Sequence, residues 1–211
     1  MNNRLIAIGD IHGEYYKLES LLEKLDVQKD DTLIFLGDYV DRGLYSKQVV
    51  DRLIKLSEFC NCEFLKGNHE YYMLKSLNGD KDAEYFFMTY GGVQTIESYG
   101  SKENILKIHG DFYNNLKQYL ITDDYIFVHG GINPLMPLDK QSELENLMIR
   151  NEFIYEPTNQ IQKVIFGHTP FDEPMVMKDK IGIDTGAGKY ENGYITAVIL
   201  PKEEFVFSKF L

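Results

Sequence analysis

Short runs of apolar, β-branched and aromatic residues recur along the chain, and five of them end in a polar turn that contains glycine. Runs of this length and composition predict β-strands. The five predicted strands cover residues 4–9, 32–36, 62–65, 125–128 and 163–166. Four later runs lie close together, at residues 175–177, 180–183, 194–200 and 204–207. Their close spacing favours antiparallel pairing, with Pro201 and Lys202 in the turn of the last hairpin.

Between the strands, apolar residues recur at the three- and four-residue spacing of an amphipathic helix. The clearest such segment, residues 15–25, has leucines on one face at Leu18, Leu21, Leu22 and Leu25. A second predicted helix begins with Ser46 at its N-cap and ends near Phe59. Further predicted helices cover residues 71–77, 93–99 and 105–116, with a short one around residues 144–148. Gly91 and Gly92 interrupt residues 82–118, and the two predicted helices that follow lead us to expect a small helical cap inserted into the fold.

The alternation of predicted strands and helices indicates an α/β fold. A length of 211 residues and a hydrophobic content of 44% suit a single domain with a well-formed core, which we place at residues 1–211. No run approaches the roughly 20 apolar residues that span a bilayer. The apolar run at residues 5–8 is too short for a signal-peptide core. We therefore expect a cytoplasmic protein with no membrane partner.

The charge balance narrows the choice of partners. Lys and Arg total 22 against 33 Asp and Glu, and the resulting net charge of −11 argues against nucleic acid as a partner. A site for phosphate esters then needs its own local positive charge, which metal ions would supply. The two cysteines, Cys60 and Cys62, are too few for a tetrahedral zinc site. They are also too close for an unstrained disulfide, so we expect reduced, structural thiols.

The turns at the ends of the five strands carry the residues best suited to chemistry. Because the carboxyl ends of strands in an α/β sheet meet at one crevice, we expect these turns to form one cluster. Its members are Asp10, His12, Asp38, Asn68, His129 and His168. Four of the five histidines of the chain lie in these turns. The remaining one, His109, has no partner motif, and we expect it on the surface or behind the site rather than as a ligand.

The composition of this cluster predicts a metal centre. Carboxylate, amide and imidazole ligands without thiolate suit divalent manganese, iron or zinc. Six ligands are too many for a single catalytic ion with an open position, so we expect two divalent ions, with manganese as the ion active in vitro. Asp38 follows the central strand of the set and is the natural bridge between them. Residues 37–43, taken alone, would also fit a loop with a local Asp–Arg ion pair.

The residues around this centre suggest a reaction. Two divalent ions can hold a hydroxide at neutral pH and clamp the oxygens of an in-line displacement at phosphorus. Arg42 and Arg150 would then hold the remaining phosphate oxygens with their planar guanidinium groups. His69 stands next to a ligand but outside the ligand set, so it could protonate the leaving alkoxide. Asp41 could orient that imidazole and stabilise its charge.

Five signatures carry a resemblance to a known family. They are Gly9-Asp-Ile-His-Gly13, Gly37-Asp-Tyr-Val-Asp-Arg-Gly43, Gly67-Asn-His-Glu70, His129-Gly-Gly131 and Gly167-His-Thr169. In this order they resemble the phosphoprotein phosphatase (PPP) family of calcineurin-like metallophosphoesterases. The resemblance is greatest to the compact bacterial and phage-type serine/threonine phosphatases, and it extends from about residue 5 to residue 186.

The resemblance implies a fold and a set of roles. The implied fold is an α/β, metallophosphoesterase-type β-sandwich of mixed sheets flanked by helices, in α/β/β/α layers with the metals at the strand ends. One metal ion would be bound by Asp10, His12 and Asp38, and the other by Asp38, Asn68, His129 and His168. His69 and Asp41 match the general-acid pair of the family, and Arg42 and Arg150 match its phosphate-binding arginines. Residues 183–187 depart from the aromatic-bearing loop of eukaryotic members, so their substrate preference does not carry over.

Three functions remain open at this point. The leading hypothesis is a phosphomonoesterase that acts on phosphoserine and phosphothreonine in proteins, with phosphotyrosine or small phosphoesters as further substrates. The second is a dinucleoside polyphosphate hydrolase of the diadenosine tetraphosphatase type, since the same metal platform serves that bacterial branch. Members of that branch usually depart from the Asp-Arg-Gly and Asn-His-Glu forms present here. The third is a phospho-ligand binding module without turnover, against which the intact ligand set and His69 argue.

Overall fold

The computed structural model describes residues 3–208, and eleven strands in this range form two mixed β-sheets. The strands are β1 (Leu5–Ile8), β2 (Thr32–Phe35), β3 (Asn61–Phe64), β4 (Tyr119–Ile121), β5 (Tyr125–Val128), β6 (Lys163–Phe166), β7 (Met175–Val176), β8 (Lys180–Gly182), β9 (Asp184–Thr185), β10 (Tyr194–Leu200) and β11 (Glu204–Phe207). The helices of the same range are α1 (Tyr15–Leu25), α2 (Ser46–Ser57), α3 (Asn68–Leu77), α4 (Lys81–Thr89), α5 (Gly92–Tyr99), α6 (Lys102–Asn114), α7 (Glu143–Met148) and α8 (Asn151–Ile154). A 3₁₀ turn covers Leu138–Lys140.

Each sheet combines a group of parallel strands with antiparallel neighbours. In the first sheet the order is β11-β10-β1-β2-β3, and β9 also pairs with β10. Strands β1, β2 and β3 are parallel, whereas β10 runs antiparallel to β1. In the second sheet the order is β4-β5-β6-β8-β7, with β5, β6 and β8 parallel. The parallel strands therefore end at the same edge of each sheet, which is where the polar turns lie.

The alternation of side chains along the strands divides the core into three apolar clusters. On β1, Ile6 and Ile8 pack with the leucines of α1 and with α2. Ala7, between them, belongs to a second cluster that includes Phe127 and Ile165 of the other sheet. On the far side of that sheet, Phe166 packs with Phe153 of α8. The layers are helix, sheet, sheet and helix, and this confirms the predicted α/β/β/α sandwich.

The segment predicted as a helical insertion forms α4, α5 and α6. Helix α5 packs against α2, and α6 packs against α3. Phe87, Ile105 and Tyr113 from these helices are buried in the same cluster as α1 and α2. The insertion is therefore part of the main core on the helical side of the first sheet. That residues 1–211 form one catalytic domain stays a prediction.

Ser46 and β4 are among the local features that differ from the sequence predictions. Ser46 is the first residue of α2, with Tyr45 at the N-cap, so its prediction as the N-cap is wrong. Its buried hydroxyl instead accepts a hydrogen bond from the backbone N–H of Asp41 at 3.2 Å. Strand β4 has no counterpart among the predicted strands, because three residues at a sheet edge are too few to show an alternating pattern.

Two features bear on the predicted environment of the protein. Within residues 3–208, no helix combines the length and the apolar character that crossing a bilayer requires. Cys60 and Cys62 are free thiols with their Sγ atoms 3.8 Å apart, as expected for reduced cysteines. Burial raises the pKa of the Cys60 thiol, which makes it a poor nucleophile.

Candidate metal centre

The six predicted ligands lie together at one edge of the two sheets. Each follows the carboxyl end of a strand: Asp10 and His12 after β1, Asp38 after β2, Asn68 after β3, His129 after β5 and His168 after β6. All six side chains are buried. Both sheets therefore contribute to one cluster, as the convergence of strand ends predicts.

Asp38 occupies the middle of this cluster. Its Oδ2 atom lies 3.4 Å from His12 Nε2 and 3.4 Å from His129 Nε2. Its Oδ1 atom accepts a hydrogen bond from the backbone N–H of His69 at 3.0 Å. The carboxylate therefore faces residues of both halves of the predicted ligand set, which is the placement that a bridging ligand needs.

The other ligands fall on either side of Asp38. On one side, Asp10 Oδ2 lies 3.8 Å from His12 Nε2. On the other side, Asn68 Oδ1 lies 2.9 Å from His129 Nε2 and 2.8 Å from His168 Nδ1. The backbone N–H of His168 donates to Asp10 Oδ1 at 3.1 Å, and this contact joins the two sides.

In the described chain, two groups of three side chains bring potential ligand atoms within 4.8 Å of one another. They are His12, Asp38 and His69, and Asp38, His129 and His168. Both contain Asp38, but the first contains His69 where the sequence predicts Asp10. His69 Nδ1 is already bonded to Asp41 Oδ2 at 2.7 Å, and its Nε2 is 4.0 Å from Asp38 Oδ2. We therefore retain Asp10 as the predicted ligand and His69 as a residue beside the metals.

The imidazole tautomers suit metal binding. His12 Nδ1–H donates to the Val40 carbonyl at 2.9 Å, and His129 Nδ1–H donates to the Leu36 carbonyl at 2.9 Å. In each ring the Nε2 atom then faces the cluster, which is the arrangement usual for metal-binding histidines. Burial and the nearby Arg42 guanidinium lower the pKa of His12 well below its usual range. His12 is thus neutral, the form that binds a metal.

The electrostatics of the cluster favour cations. Burial and the neighbouring Asp184 carboxylate raise the pKa of Asp10 well above its ordinary value. Burial lowers the pKa of His129, but Asp38 and the other carboxylates around it outweigh this and raise it to about 9. His168 Nε2 is buried and has no hydrogen-bond partner among the described residues. A divalent cation would balance the carboxylates and displace the His129 proton, so the donor set fits such ions.

The backbone of the site is strained. Among residues 3–208, eight non-glycine residues have a positive φ angle, and five of them belong to the site. These five have φ between 48° and 70° and are His12, Asp38, Asp41, Arg42 and His168. Residues other than glycine rarely adopt this left-handed backbone conformation, which costs about 1–3 kcal/mol for each residue. They adopt it where the surrounding structure imposes it. Their concentration here supports a functional site.

Two glycines allow the turns to approach one another. A Cβ atom on Gly67 would lie 2.0 Å from Asp38 Oδ1, and one on Gly167 would lie 2.3 Å from Asp10 Oδ1. Any larger residue at these positions would displace a predicted ligand. The glycines in the signatures therefore have a packing reason that is independent of their conformational freedom.

His69 is held by a chain of hydrogen bonds. Its Nδ1–H donates to Asp41 Oδ2 at 2.7 Å, and the Thr95 hydroxyl donates to Asp41 Oδ1 at 2.6 Å. The backbone N–H of Asp41 donates back to Thr95 Oγ1 at 2.9 Å. All three side chains are buried. Thr95 lies in α5, so the helical insertion fixes the position of the Asp41 carboxylate.

The two predicted phosphate-binding arginines line the same cavity, which has a volume of about 610 Å³. Arg42 donates to His12 Nε2 at 2.8 Å and to His69 Nε2 at 3.1 Å. Arg150 precedes α8 and donates to the Thr169 hydroxyl at 3.2 Å. Both are half-buried, so each keeps donors that a substrate can reach.

Three buried residues of the site are absent from the sequence predictions. Thr95 supports Asp41, and Asp184 adds a carboxylate that lines the cavity. Glu70 accepts four backbone N–H groups, from Asp38, Tyr39, Val40 and Gly67. Its position in the Gly-Asn-His-Glu signature is the one signal that could have identified it. Thr95 and Asp184 have no local sequence signal.

His109, by contrast, lies away from the strand ends. The prediction placed it on the surface or behind the site, and not among the ligands. It is buried in α6, so the surface position is wrong, and it belongs to neither group of potential ligands found in the described residues. Its Nε2 atom is 3.0 Å from Asp51 Oδ1, and its Nδ1 atom is 2.7 Å from the Tyr99 hydroxyl. These two hydrogen bonds account for a polar ring in the helical core.

Replacing Glu70 by glutamine is expected to lower the free energy of unfolding by about 2–4 kcal/mol. Each carboxylate oxygen accepts from two backbone N–H groups. A glutamine NH₂ would face two of these donors and leave them unpaired in a buried site. Urea denaturation of the metal-free protein at fixed pH measures the change. Glu63→Gln is the control, since Glu63 forms a surface pair with Lys117 worth about 1 kcal/mol or less. Equal stability of Glu70→Gln and wild type would contradict the role.

Comparison with protein families gives one family model, described as calcineurin-like phosphoesterase, which matches residues 3–204. Among curated proteins, the chain is 33% identical over 131 residues to the serine/threonine-protein phosphatase PP2A-like PPG1 of Saccharomyces cerevisiae. That match covers 61% of this chain and 33% of the yeast protein. The chain thus spans about a third of the length of this relative.

Among solved structures, the fold is similar to one described as a putative diadenosine tetraphosphatase, with a TM-score of 0.73 and 23% identity. The match covers 97% of this chain and 92% of that one. A protein serine/threonine phosphatase from Saccharomyces cerevisiae with similarity to human phosphatase PP5 matches with a TM-score of 0.68 and 18% identity. It covers 97% of this chain and 78% of that chain. At these identities the likeness concerns the fold.

Proposed function

Since the chain belongs to the calcineurin-like phosphoesterase family, we propose that it is a metal-dependent phosphomonoesterase that hydrolyses phosphoserine and phosphothreonine in proteins. The observation that carries the proposal is the position of Asp38 between two sets of buried ligands, next to the His69–Asp41 pair. A binding module would not need that pair. The 33% identity over 131 residues to a yeast serine/threonine phosphatase supports this choice of substrate.

The residues would divide the work as follows. Asp10, His12 and Asp38 would hold one divalent ion, and Asp38, Asn68, His129 and His168 the other. When bound, such a pair of ions activates water at neutral pH and neutralises phosphate oxygens. Manganese is the expected ion in vitro, with iron or zinc as further candidates. A cytoplasmic location and a phosphorylated protein or small phosphoester as partner stay predictions.

His69 would act as the general acid. Asp41 fixes its Nδ1–H, so Nε2 is the atom that faces the cavity and can carry the transferred proton. The hydrogen bond to Asp41 orients the ring so that Nε2 can donate this proton to the leaving oxygen. Because the side chains of His69 and Asp41 are almost fully buried, solvent does not weaken the hydrogen bond between them.

Arg42 and Arg150 would bind the phosphate oxygens. A His12 Nε2 that binds a metal can no longer accept the hydrogen bond from Arg42, so the Arg42 donor becomes available to the substrate. Arg150 reaches the cavity from the opposite sheet, after β5. Two guanidinium groups in fixed positions would hold the phosphoryl group for in-line attack.

Arg42→Lys and Arg150→Lys are each expected to lower kcat/KM about tenfold and to weaken inhibition by inorganic phosphate, because lysine keeps the charge but loses the bidentate fork. Steady-state kinetics with phosphate as inhibitor measures both effects. Arg52→Lys is the matched control, since Arg52 pairs with Glu19 on the surface of α2. If Arg150→Lys behaves like wild type in both measurements, Arg150 leaves the site and Arg42 acts alone.

A dinucleoside polyphosphate hydrolase is the second candidate. The observation in its favour is the structure described as a putative diadenosine tetraphosphatase, which this chain matches over nearly the full length of both. The same ligand set and arginines would serve hydrolysis of a phosphoanhydride. The sequence motifs Asp41-Arg-Gly43 and Asn68-His-Glu70 favour the monoesterase, because members of the dinucleotide branch usually depart from these motifs.

Turnover of three substrates separates the candidates. The manganese-loaded protein would be assayed with a phosphoserine peptide, a phosphothreonine peptide and diadenosine tetraphosphate at equal concentrations. If the protein is a phosphomonoesterase, one of the two phosphopeptides should have the highest kcat/KM. A clear preference for the dinucleotide would overturn the proposal in favour of the second candidate. Binding of all three without hydrolysis of any of them, with products followed as phosphate for the peptides and as nucleotides for the dinucleotide, would indicate a module that has lost turnover.

A further inference from the structure

We propose that a groove beside the catalytic cavity binds an arginine side chain of the substrate protein, close in sequence to the phosphorylated residue. The inference deepens the proposed function and rests on it. The groove has a volume of about 850 Å³ and lies between the loop at residues 133–135 and residues of α7, α8 and the segment that follows α8. Its lining contains none of the residues assigned to the reaction.

The groove adjoins the place where the substrate phosphate would lie. Met148 lines both the groove and the cavity that contains the predicted ligands. Arg150 lines the cavity, and its two neighbours in the chain, Ile149 and Asn151, line the groove. A polypeptide whose phosphoryl group is held by Arg150 can therefore continue from the cavity into the groove.

Hydrogen bonds hold the walls of the groove in place. Gln141, which is buried, donates through Nε2 to the carbonyls of Asn133 at 2.9 Å and Met136 at 2.8 Å. Asn133 in turn donates through Nδ2 to Glu145 Oε1 at 2.6 Å, and this bond joins the loop to α7. Because these walls are already ordered, a substrate segment that binds between them loses little free energy to ordering the groove.

The lining suits a long side chain with a cationic end. Leu135 is 91% exposed and Tyr155 is 77% exposed, so the groove offers apolar surface that no described residue covers. Three carboxylates also line it, at Glu145, Glu152 and Glu156, and none of its described lining residues is Lys, Arg or His. An arginine can pack its methylene stem on the apolar surface and place its guanidinium group against a carboxylate or over the Tyr155 ring.

Glu152 is the carboxylate most available to such a group. Glu145 already accepts the hydrogen bond from Asn133, whereas Glu152 is exposed and its carboxylate has no hydrogen-bond or ion-pair partner within residues 3–208. The net charge of −11 adds a general attraction for basic segments. An acidic residue at the same place in the substrate would meet like charge, so the groove should also select against it.

Matched phosphoserine peptides test the proposal. Each peptide would carry arginine, alanine or glutamate at one position, scanned on either side of the phosphoserine, and would be assayed on the manganese-loaded wild type. The measured quantity is the ratio of kcat/KM for the arginine peptide to that for the glutamate peptide. This ratio cancels differences in metal loading and active fraction. At the position that reaches the groove we expect a ratio of about three to ten, the scale of exposed charge interactions.

Glu152→Arg should invert the ratio at that position, because the reversed charge favours the glutamate peptide. Glu58→Arg is the matched control, since it changes the net charge equally at an exposed glutamate that caps the end of α2 and does not line the groove. It should leave the ratio close to the wild-type value. Glu152→Gln, which should bring the ratio towards one, keeps the test valid if thermal melting shows that Glu152→Arg does not fold.

The outcomes separate this inference from the proposed function. A ratio near one at every position in the wild type would overturn the inference alone, as would equal changes in Glu152→Arg and Glu58→Arg. An unchanged ratio in Glu152→Arg together with altered self-association in sedimentation would assign the groove to a second copy of the chain and likewise overturn it. Wild type that cleaves none of the peptides would overturn the proposed function as well.

Discussion

Replacing His69 by alanine is expected to lower kcat for a phosphoserine peptide by about 10²–10⁴-fold, the usual effect of losing a general acid. The alkoxide of serine is a poor leaving group and needs a proton as the bond to phosphorus breaks. His69 is bonded to Asp41 through Nδ1, and its Nε2 faces the cavity. Because His69 is not in the predicted ligand set, the metal content should stay at the wild-type level. Stopped assays of released phosphate, with metal analysis of the same samples, measure both quantities.

The leaving group distinguishes this role from a structural one. p-Nitrophenolate leaves without protonation, so the loss in His69→Ala should be much smaller for p-nitrophenyl phosphate than for the phosphoserine peptide. A variant with a merely distorted site would lose activity on both esters equally. An equal loss would therefore exclude His69 as the acid.

Thr95 provides a graded comparison. Thr95→Val removes the hydroxyl that donates to Asp41 but keeps the shape of the side chain, whereas Thr95→Ser keeps the hydroxyl. We expect Thr95→Val to lower kcat less than His69→Ala does, and to lower it more for the phosphoserine peptide than for p-nitrophenyl phosphate. Thr95→Ser should keep most of the wild-type kcat on both esters. The comparison tests whether α5 positions the acid through Asp41.

Replacing Asp38 by asparagine is expected to weaken both metal sites together. The Asp38 carboxylate faces His12 on one side and His129 on the other. An asparagine has nearly the same shape but lacks the charge that would hold two cations. Since even residues that only support ligands change metal affinity by 10–100-fold, a larger loss is expected here. Activity should fall in parallel.

Metal analysis after anaerobic reconstitution tests this expectation directly. Wild type should approach two ions per chain, and Asp38→Asn should retain fewer than one. Asp51→Asn is the control, because Asp51 is a half-exposed carboxylate that pairs with His109 away from the cluster. A wild-type protein with one ion per chain and full activity would contradict the two-ion centre. Loss of a single ion in Asp38→Asn would contradict the bridging role.

Much of the fold could be predicted from the sequence because its signals are local. The five strands that lead to the site are short runs with a glycine close behind, and their length and their β-branched and aromatic residues favour a strand over a helix. The predicted ligands could be placed together for a related reason. Asp10 and Asp38 each follow a parallel strand, and parallel strands end at one edge, so no long-range information is needed.

The residues that sequence reasoning missed depend on contacts between distant segments. Thr95 bonds to Asp41 across the interface between α5 and the turn after β2, and nothing near Thr95 in the sequence indicates this. Asp184 enters the site only because β8 pairs with β6 and the chain then continues into β9, which pairs with β10 and begins at Asp184. Glu70 turns back from α3 to the turn that precedes it, although its place in a helix suggests an exposed residue. Such partners are set by packing, which a linear pattern does not record.

The pairing of β1 with β10 has a consequence for how the protein is made. Leu5 pairs with Leu200, and the backbone N–H of Gly9, next to Asp10, donates to the Thr196 carbonyl. All six predicted ligands precede β10 in the sequence, so a growing polypeptide on the ribosome contains the complete set before the strand that fixes Asp10 exists. Contacts of such high sequence separation form late in folding. Nascent chains that stop before residue 194 should therefore release metal readily, and tight retention should appear only once β10 has emerged and joined the sheet.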